Sequence, residues 1–234
     1  MTLIASRKKK TMTDMKRTPE PELMDSTAQT KAYAEADFSD SNEMFVSQFI
    51  HHFPQPGQSG TMADLGCGPA DISIRLAKAL PGWQVLGLDA GENMLRQAEA
   101  AVTSAGMHDR VSLQHSYLPD DRLQRGSFDA VVSNSLLHHL PEPATLWNTV
   151  NDIARNGAAI AVMDLHRPDS ESEAQSLVDT YAEGAPDILR EDFYNSLLAA
   201  YTVAEIREQL DRCGLAGLEI TRPSDRHWMV IGRT

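Results

Sequence analysis

The sequence predicts an α/β protein built on a doubly wound, mostly parallel sheet. Three observations predict it. Short apolar segments of strand length alternate with helical patterns from residue 61 onward. Most of those segments are apolar at successive positions, as strands covered by helices on both faces must be. The last two are joined only by Arg222, Pro223, Ser224, Asp225 and Arg226. That link is too short for a parallel crossover, so the final strand is expected to run antiparallel to the rest.

Taken in order, residues 1–27 are polar and contain Pro19 and Pro21, and they read as a disordered basic tail. The domain proper is expected over 28–234. Between 30 and 53, Phe45, Phe49 and Ile50 recur at helical spacing and predict one amphipathic helix. A Pro- and Gly-rich loop follows over 54–60. Strands are predicted at 61–65, 84–89, 110–116, 128–134 and 158–164. Between them, helices are predicted at 71–80, closed by Pro81 and Gly82, at 92–105, ended by Gly106, and at 143–155, stopped by Asn156 and Gly157. Residues 169–200 break the rhythm with helical sequence and read as an insertion. A helix at 203–213 and strands at 218–221 and 227–232 complete the chain.

Charge narrows the function classes. The 234 residues carry 21 Lys and Arg against 33 Asp and Glu, a formal −12. Residues 1–17 hold six cations and one anion, which leaves −17 on the remainder. So acidic a body repels phosphate backbones and argues against DNA as the main partner. No apolar run approaches the ~20 residues of a membrane span. The N-terminus does not have the charge-then-apolar order of a signal peptide. Two distant cysteines, Cys67 and Cys213, form neither a disulfide framework nor a zinc motif, which points to the cytoplasm.

The chemistry concentrates where the first strand meets its helix. Asp64, Leu65, Gly66, Cys67, Gly68, Pro69 and Ala70 form a Gly-rich turn that lets a ligand approach the backbone. The helix that follows offers unpaired N–H groups and positive potential. Asp89 stands 21 residues after Gly68, at the end of the second strand, where a carboxylate can accept both hydroxyls of a ribose. A dinucleotide and S-adenosylmethionine (SAM) both fit this layout. The dinucleotide fingerprint needs a third Gly where this chain has Asp71.

These residues resemble the class I, seven-stranded, Rossmann-like SAM-dependent methyltransferases of the small-molecule branch. Residues 64–70 are similar to the first motif, with Ala70 in the place of its last Gly. Leu88, Asp89 and Ala90 are similar to the second motif, and residues 133–141, with His138 and His139, to that of the fourth strand. The resemblance implies strand order 3-2-1-4-5-7-6 with strand 7 antiparallel. It implies SAM as cofactor, held by Asp64, Gly66, Cys67, Gly68, Asp89, Ala90, Met94, Ser116, Tyr117, Asn134 and Tyr33. In-line, metal-independent methyl transfer to a small molecule is the implied activity.

An imidazole titrates near neutrality, so His138 and His139, just beyond the fourth strand, are the expected catalytic bases. Arg167, Tyr181 and Tyr194 are the expected substrate contacts. The insertion and residues 38–45 form the expected lid and wall. Cys67 reads as a small buried filler, with no base beside it. An RNA or protein methyltransferase and a non-catalytic SAM-binding subunit are the alternatives. The first lacks the Asn/Asp-Pro-Pro-Tyr pattern, since residues 134–137 read Asn-Ser-Leu-Leu.

Overall fold

The strand segments assemble into one seven-stranded sheet of order β3-β2-β1-β4-β5-β7-β6 in a computed structural model that describes residues 15–20, 25–54 and 57–234. The strands are β1 (Gly60–Leu65), β2 (Trp83–Asp89), β3 (Val111–His115), β4 (Phe128–Asn134), β5 (Ala154–Leu165), β6 (Glu219–Thr221) and β7 (His227–Arg233). All pairings are parallel except those of β7, which is antiparallel to both β5 and β6, in agreement with the short link before it.

Alternation along each strand divides the core between two faces. Met62, Val85, Val132, Ala161 and Met229 pack against α2 (Ser39–His52), α3 (Asp71–Ala79) and α4 (Glu92–Ser104). Leu65, Val131, Ile160, Val162 and Trp228 pack against α5 (Ala144–Ile153) and α8 (Val203–Arg212). The insertion folds as α6 (Glu171–Tyr181) and α7 (Asp187–Ala199), which pack on Leu165 at the carboxyl end of β5. That end of the sheet is where loops of an open α/β fold bind ligands. No helix among the described residues is long and apolar enough to cross a membrane.

Three sequence expectations are corrected. The helix expected over 30–53 is two helices, α1 (Thr27–Glu35) and α2. Asp37 Oδ1 accepts bonds from the Ser39 N–H at 2.9 Å and the Ser39 hydroxyl at 2.5 Å. This local bond offers the backbone an alternative to continuing the first helix. The helix expected to reach 155 stops at Ile153, because Ala154 already pairs with Phe128 of β4 and Arg155 bonds Asp129. The third correction concerns the tail expected over 1–27. Residues 1–14 and 21–24 lie outside the described residues, but 15–20 and 25–26 make tertiary contacts. The Thr18 N–H donates to the Leu198 carbonyl at 3.0 Å, and the Arg17 guanidinium donates to the carbonyls of Ala199 and His138 at 2.5 and 2.9 Å.

Glu205 joins two of these features. With Thr202 it closes a capping box at the start of α8, and it also pairs with buried Arg167 at 2.8 Å. Thr202→Ala is expected to cost about 1 kcal/mol. Glu205→Ala is expected to cost more, because it removes a cap and leaves a buried guanidinium without its partner. Urea denaturation of both variants checks the order; equal losses would contradict it.

Candidate functional site

The site is built at the carboxyl ends of β1, β2 and β4. Asp64 and Asp89 lie on neighbouring strands, β1 and β2, and face the α3–α4 side of the sheet. The turn after β1 is tied to β2, since the N–H groups of Gly66 and Cys67 both donate to the Leu88 carbonyl, at 2.8 and 3.0 Å. Gly66, Gly68 and Ala70 all adopt left-handed φ, +69°, +52° and +67°. Ala70 therefore keeps the backbone of the glycine it replaces, at a cost of roughly 1–2 kcal/mol. A Cβ on Gly66 would strike Leu136, whereas one on Gly68 would meet nothing within 4 Å. The Gly68 backbone thus faces an open cradle that a side chain would fill.

Asp89 braces that cradle. One carboxylate oxygen accepts the Gly68 N–H and the other the Gly91 N–H, each at 2.8 Å. Each oxygen keeps a further lone pair, so a vicinal diol can still be bound. Asp64 is buried and accepts the Ser73 hydroxyl at 2.6 Å. Burial, helped by repulsion from Asp89, pushes its pKa up to about 7. Burial raises Asp89 as well, against the two N–H bonds it accepts. Among the described residues neither carboxyl pairs with a cation. Asn134, at the end of β4, has a buried Oδ1 with no partner among the described residues.

The two histidines after β4 are held by carboxylates. His138 is buried, and its Nδ1 lies 2.5 Å from Asp164 Oδ1 at the end of β5. A carboxylate only accepts, so the proton of that bond sits on Nδ1. Burial opposes protonation of His138, but Asp164 outweighs it and the pKa is raised. His139 stacks on His138 with centroids 4.0 Å apart and meets Glu20 Oε2 at 2.5 Å. Glu20 also accepts the Ser196 hydroxyl at 2.6 Å. Burial disfavours its charge, yet His139 and Ser196 together bring its pKa below the usual value.

Other expected residues divide. Met94 is buried on α4, and Ala90 is fixed through a His115 bond to its carbonyl at 3.0 Å. Ser116 is buried, bonded to Asp120 at 2.7 Å, and its N–H donates to the Asp89 carbonyl. Cys67 is buried, and burial lifts its thiol well above the usual value, as a filler requires. Burial and then Asp164, Asp89 and Asp71 push the Tyr33 phenol up to about 12, which sets it among the site's acids. Tyr117, in contrast, is 63% exposed and stacks edge-on against His115. Arg167 turns inward to Ala200 and Glu205, so it holds the loop after β5 together instead of facing a substrate. Tyr181 bonds Asp225 at 2.6 Å under the Arg226 guanidinium, which pins α6 to the β6–β7 link. Tyr194 packs in the small cluster between α6 and α7.

Sequence reasoning missed three contributors from the N-terminal segment. Glu20 meets His139, and Arg17 bonds the His138 carbonyl and stacks on Tyr201. Asp25 Oδ1 accepts the N–H groups of Asn93 and Met94, at 2.9 and 3.3 Å, and so caps α4 from outside. A polar, Pro-containing stretch gives no local signal of partners more than sixty residues away.

Asp64 makes the folded protein bind a proton that the unfolded chain has already lost. Its folded pKa is raised, so stability is expected to fall as pH rises from about 4 to about 7. Asp64→Asn removes that share of the slope. Melting temperature against pH for both proteins checks it; parallel curves would contradict it.

Residues 63–160 match a family model described as a methyltransferase domain. The chain is 33% identical over 113 residues to a demethylmenaquinone methyltransferase of Geobacillus stearothermophilus, a match covering 47% of this chain and 48% of that one. The chain thus spans about half the length of the curated relatives it matches. A SAM-dependent methyltransferase structure from Aquifex aeolicus superposes with a TM-score of 0.64 at 17% identity, covering 89% of this chain and 98% of that one. A Haemonchus contortus phosphoethanolamine N-methyltransferase 2, solved with phosphomonomethylethanolamine and S-adenosylhomocysteine, gives 0.62 at 19%, covering 84% and 43%. Strand order and the antiparallel seventh strand give the chain the fold of the class I, Rossmann-like methyltransferases, and its residues 63–160 are similar to their methyltransferase domain.

Proposed function

We propose that the protein transfers a methyl group from SAM to a small-molecule acceptor. The observation that carries the reading is the pair Asp64 and Asp89, one buried and one half-buried carboxyl of raised pKa on adjacent strands, without cation partners among the described residues, flanking an open glycine cradle. SAM fits this set. Asp89 would take its ribose diol, Asp64 and Asn134 the ammonium side, and the Gly68 backbone the chain between them. Ala90, Met94 and Ser116 would wall the adenine.

When bound, SAM supplies a methyl group on a positively charged sulfur that is already a good leaving group. The protein's task is then alignment and exclusion of water. Tyr33 and the N-terminal segment cover the site, and α7 bounds it on the acceptor side, through the Ser196–Glu20 and Gln29–Asp192 bonds. The acceptor gains the methyl and gives up a proton, which the stacked histidines with Asp164 and Glu20 are placed to receive. The sulfur keeps the electron pair of the broken bond.

A small acceptor is supported by relatives named for demethylmenaquinone and by the acidic body, which disfavours nucleic acid. The two free thiols suit a reducing compartment such as the cytoplasm.

Calorimetry with SAM, S-adenosylhomocysteine and NAD tests the reading; the first two are expected to bind and NAD is not. Asp89→Ala is expected to weaken binding by about tenfold to a hundredfold, the worth of hydrogen bonds to a charged group. Retention of NAD alone would overturn the reading. The ammonium favours ionised Asp64, so affinity is expected to climb as pH rises toward about 7 and to level off above it. A pH-independent affinity would remove Asp64 from the ligand set. Once an acceptor is found by screening, His138→Ala or His139→Ala is expected to lower turnover by about tenfold or more. SAM binding without turnover on any acceptor would favour a non-catalytic subunit.

A further inference from the structure

We propose that Glu20, His138 and His139 form a binding site for one first-row divalent metal ion. One donor atom of each lies within 4.8 Å of the others. An ion with bonds of about 2.0–2.1 Å holds tetrahedral donors roughly 3.4 Å apart, so small side-chain shifts complete the set. The Nδ1–H of His138 is already committed to Asp164, which leaves the Nε2 lone pair as its donor. A carboxylate behind an imidazole is the arrangement that orients metal-bound histidines. The contact between His139 Nδ1 and Glu20 Oε2 is short, 2.5 Å, yet among the described residues that nitrogen makes no aligned hydrogen bond. An ion between the two atoms would draw them apart and use both lone pairs.

The local charge also admits a dication. Glu20 and Asp164 bring two negative charges and Arg17, whose guanidinium bonds the His138 carbonyl, brings one positive. Two imidazoles and a carboxylate suit zinc, iron(II), cobalt(II) or nickel(II) better than magnesium or calcium, which prefer all-oxygen shells. Three protein ligands leave a position open for an oxygen or sulfur of a small molecule. With an ion in place the histidines are ligands, not proton acceptors, and a hydroxyl or thiol bound at the open position loses its proton to solvent instead. This departs from the metal-independent transfer that the family resemblance implies. The site stands on its own geometry, whether or not the protein transfers methyl groups.

The test uses full-length protein without a histidine tag, dialysed against chelator and titrated with zinc chloride and, for a visible spectrum, cobalt chloride. One equivalent is expected to bind, with a d–d spectrum of mixed nitrogen and oxygen ligation. Glu20→Gln and His139→Ala, at partly exposed positions, are each expected to weaken binding by about tenfold or more. His115→Ala, at an exposed histidine outside the cluster, is expected to leave it unchanged. Affinity that is the same in wild type, Glu20→Gln and His139→Ala would overturn the proposal. So would absence of binding by wild type. A parallel titration with S-adenosylhomocysteine keeps the two readings apart: its failure with metal binding intact sinks the proposed methyl transfer, and the converse sinks only the metal site.

Discussion

The carboxylate of Asp89 bonded to the N–H groups of Gly68 and Gly91 is the constraint on which the site depends. It fixes the turn after β1 to the turn after β2, each at the carboxyl end of its strand. It acts together with the Gly66 and Cys67 N–H bonds to the Leu88 carbonyl, which hold the first part of the same turn. The bond has a cost, since the half-buried carboxylate is partly desolvated and lies near a second acid, Asp25, and both effects raise its pKa. Among the described residues no cation pairs with Asp64 or Asp89, and Asp64 answers by holding its proton up to a pH of about 7.

The same logic extends to the rim. His138 and His139 are adjacent in sequence, yet each answers to a different acid, Asp164 from the sheet and Glu20 from the N-terminal segment. One imidazole is therefore anchored to the rigid scaffold. The other is anchored to Glu20 of the N-terminal segment. Asp25 repeats this pattern at the head of α4, where a residue from the same stretch completes a helix that has no cap of its own.

The sheet was legible in the sequence because successive apolar residues and short links leave few topologies open. The placement of Asp64, Gly66, Gly68 and Asp89 around neighbouring turns was legible because it follows from spacing along a strand and its turn. Arg167 was not, since sequence places it at the rim without saying that Glu205, 38 residues later, turns it inward. Tyr117 falls in the same class: beyond the end of β3 the alternation of side chains no longer predicts direction, and the ring faces solvent. Glu20 and Asp25 were invisible because every bond that gives them meaning is long-range. The break between α1 and α2 had a local signal, Asp37 beside Ser39, which helical periodicity masked.

The reversed direction of β7 places Thr234 at the far end of the sheet from the site. Thr234 is bonded to Gly157 and Ala158 near the amino end of β5, six or seven residues of strand, roughly 20 Å, from Asp164 at the other end. A dye, bead or surface tether fastened after Thr234 leaves the mouth of the molecule unobstructed. One fastened ahead of residue 15 pulls on the very stretch that delivers Glu20. Immobilised assays and fluorescent reporters belong beyond β7.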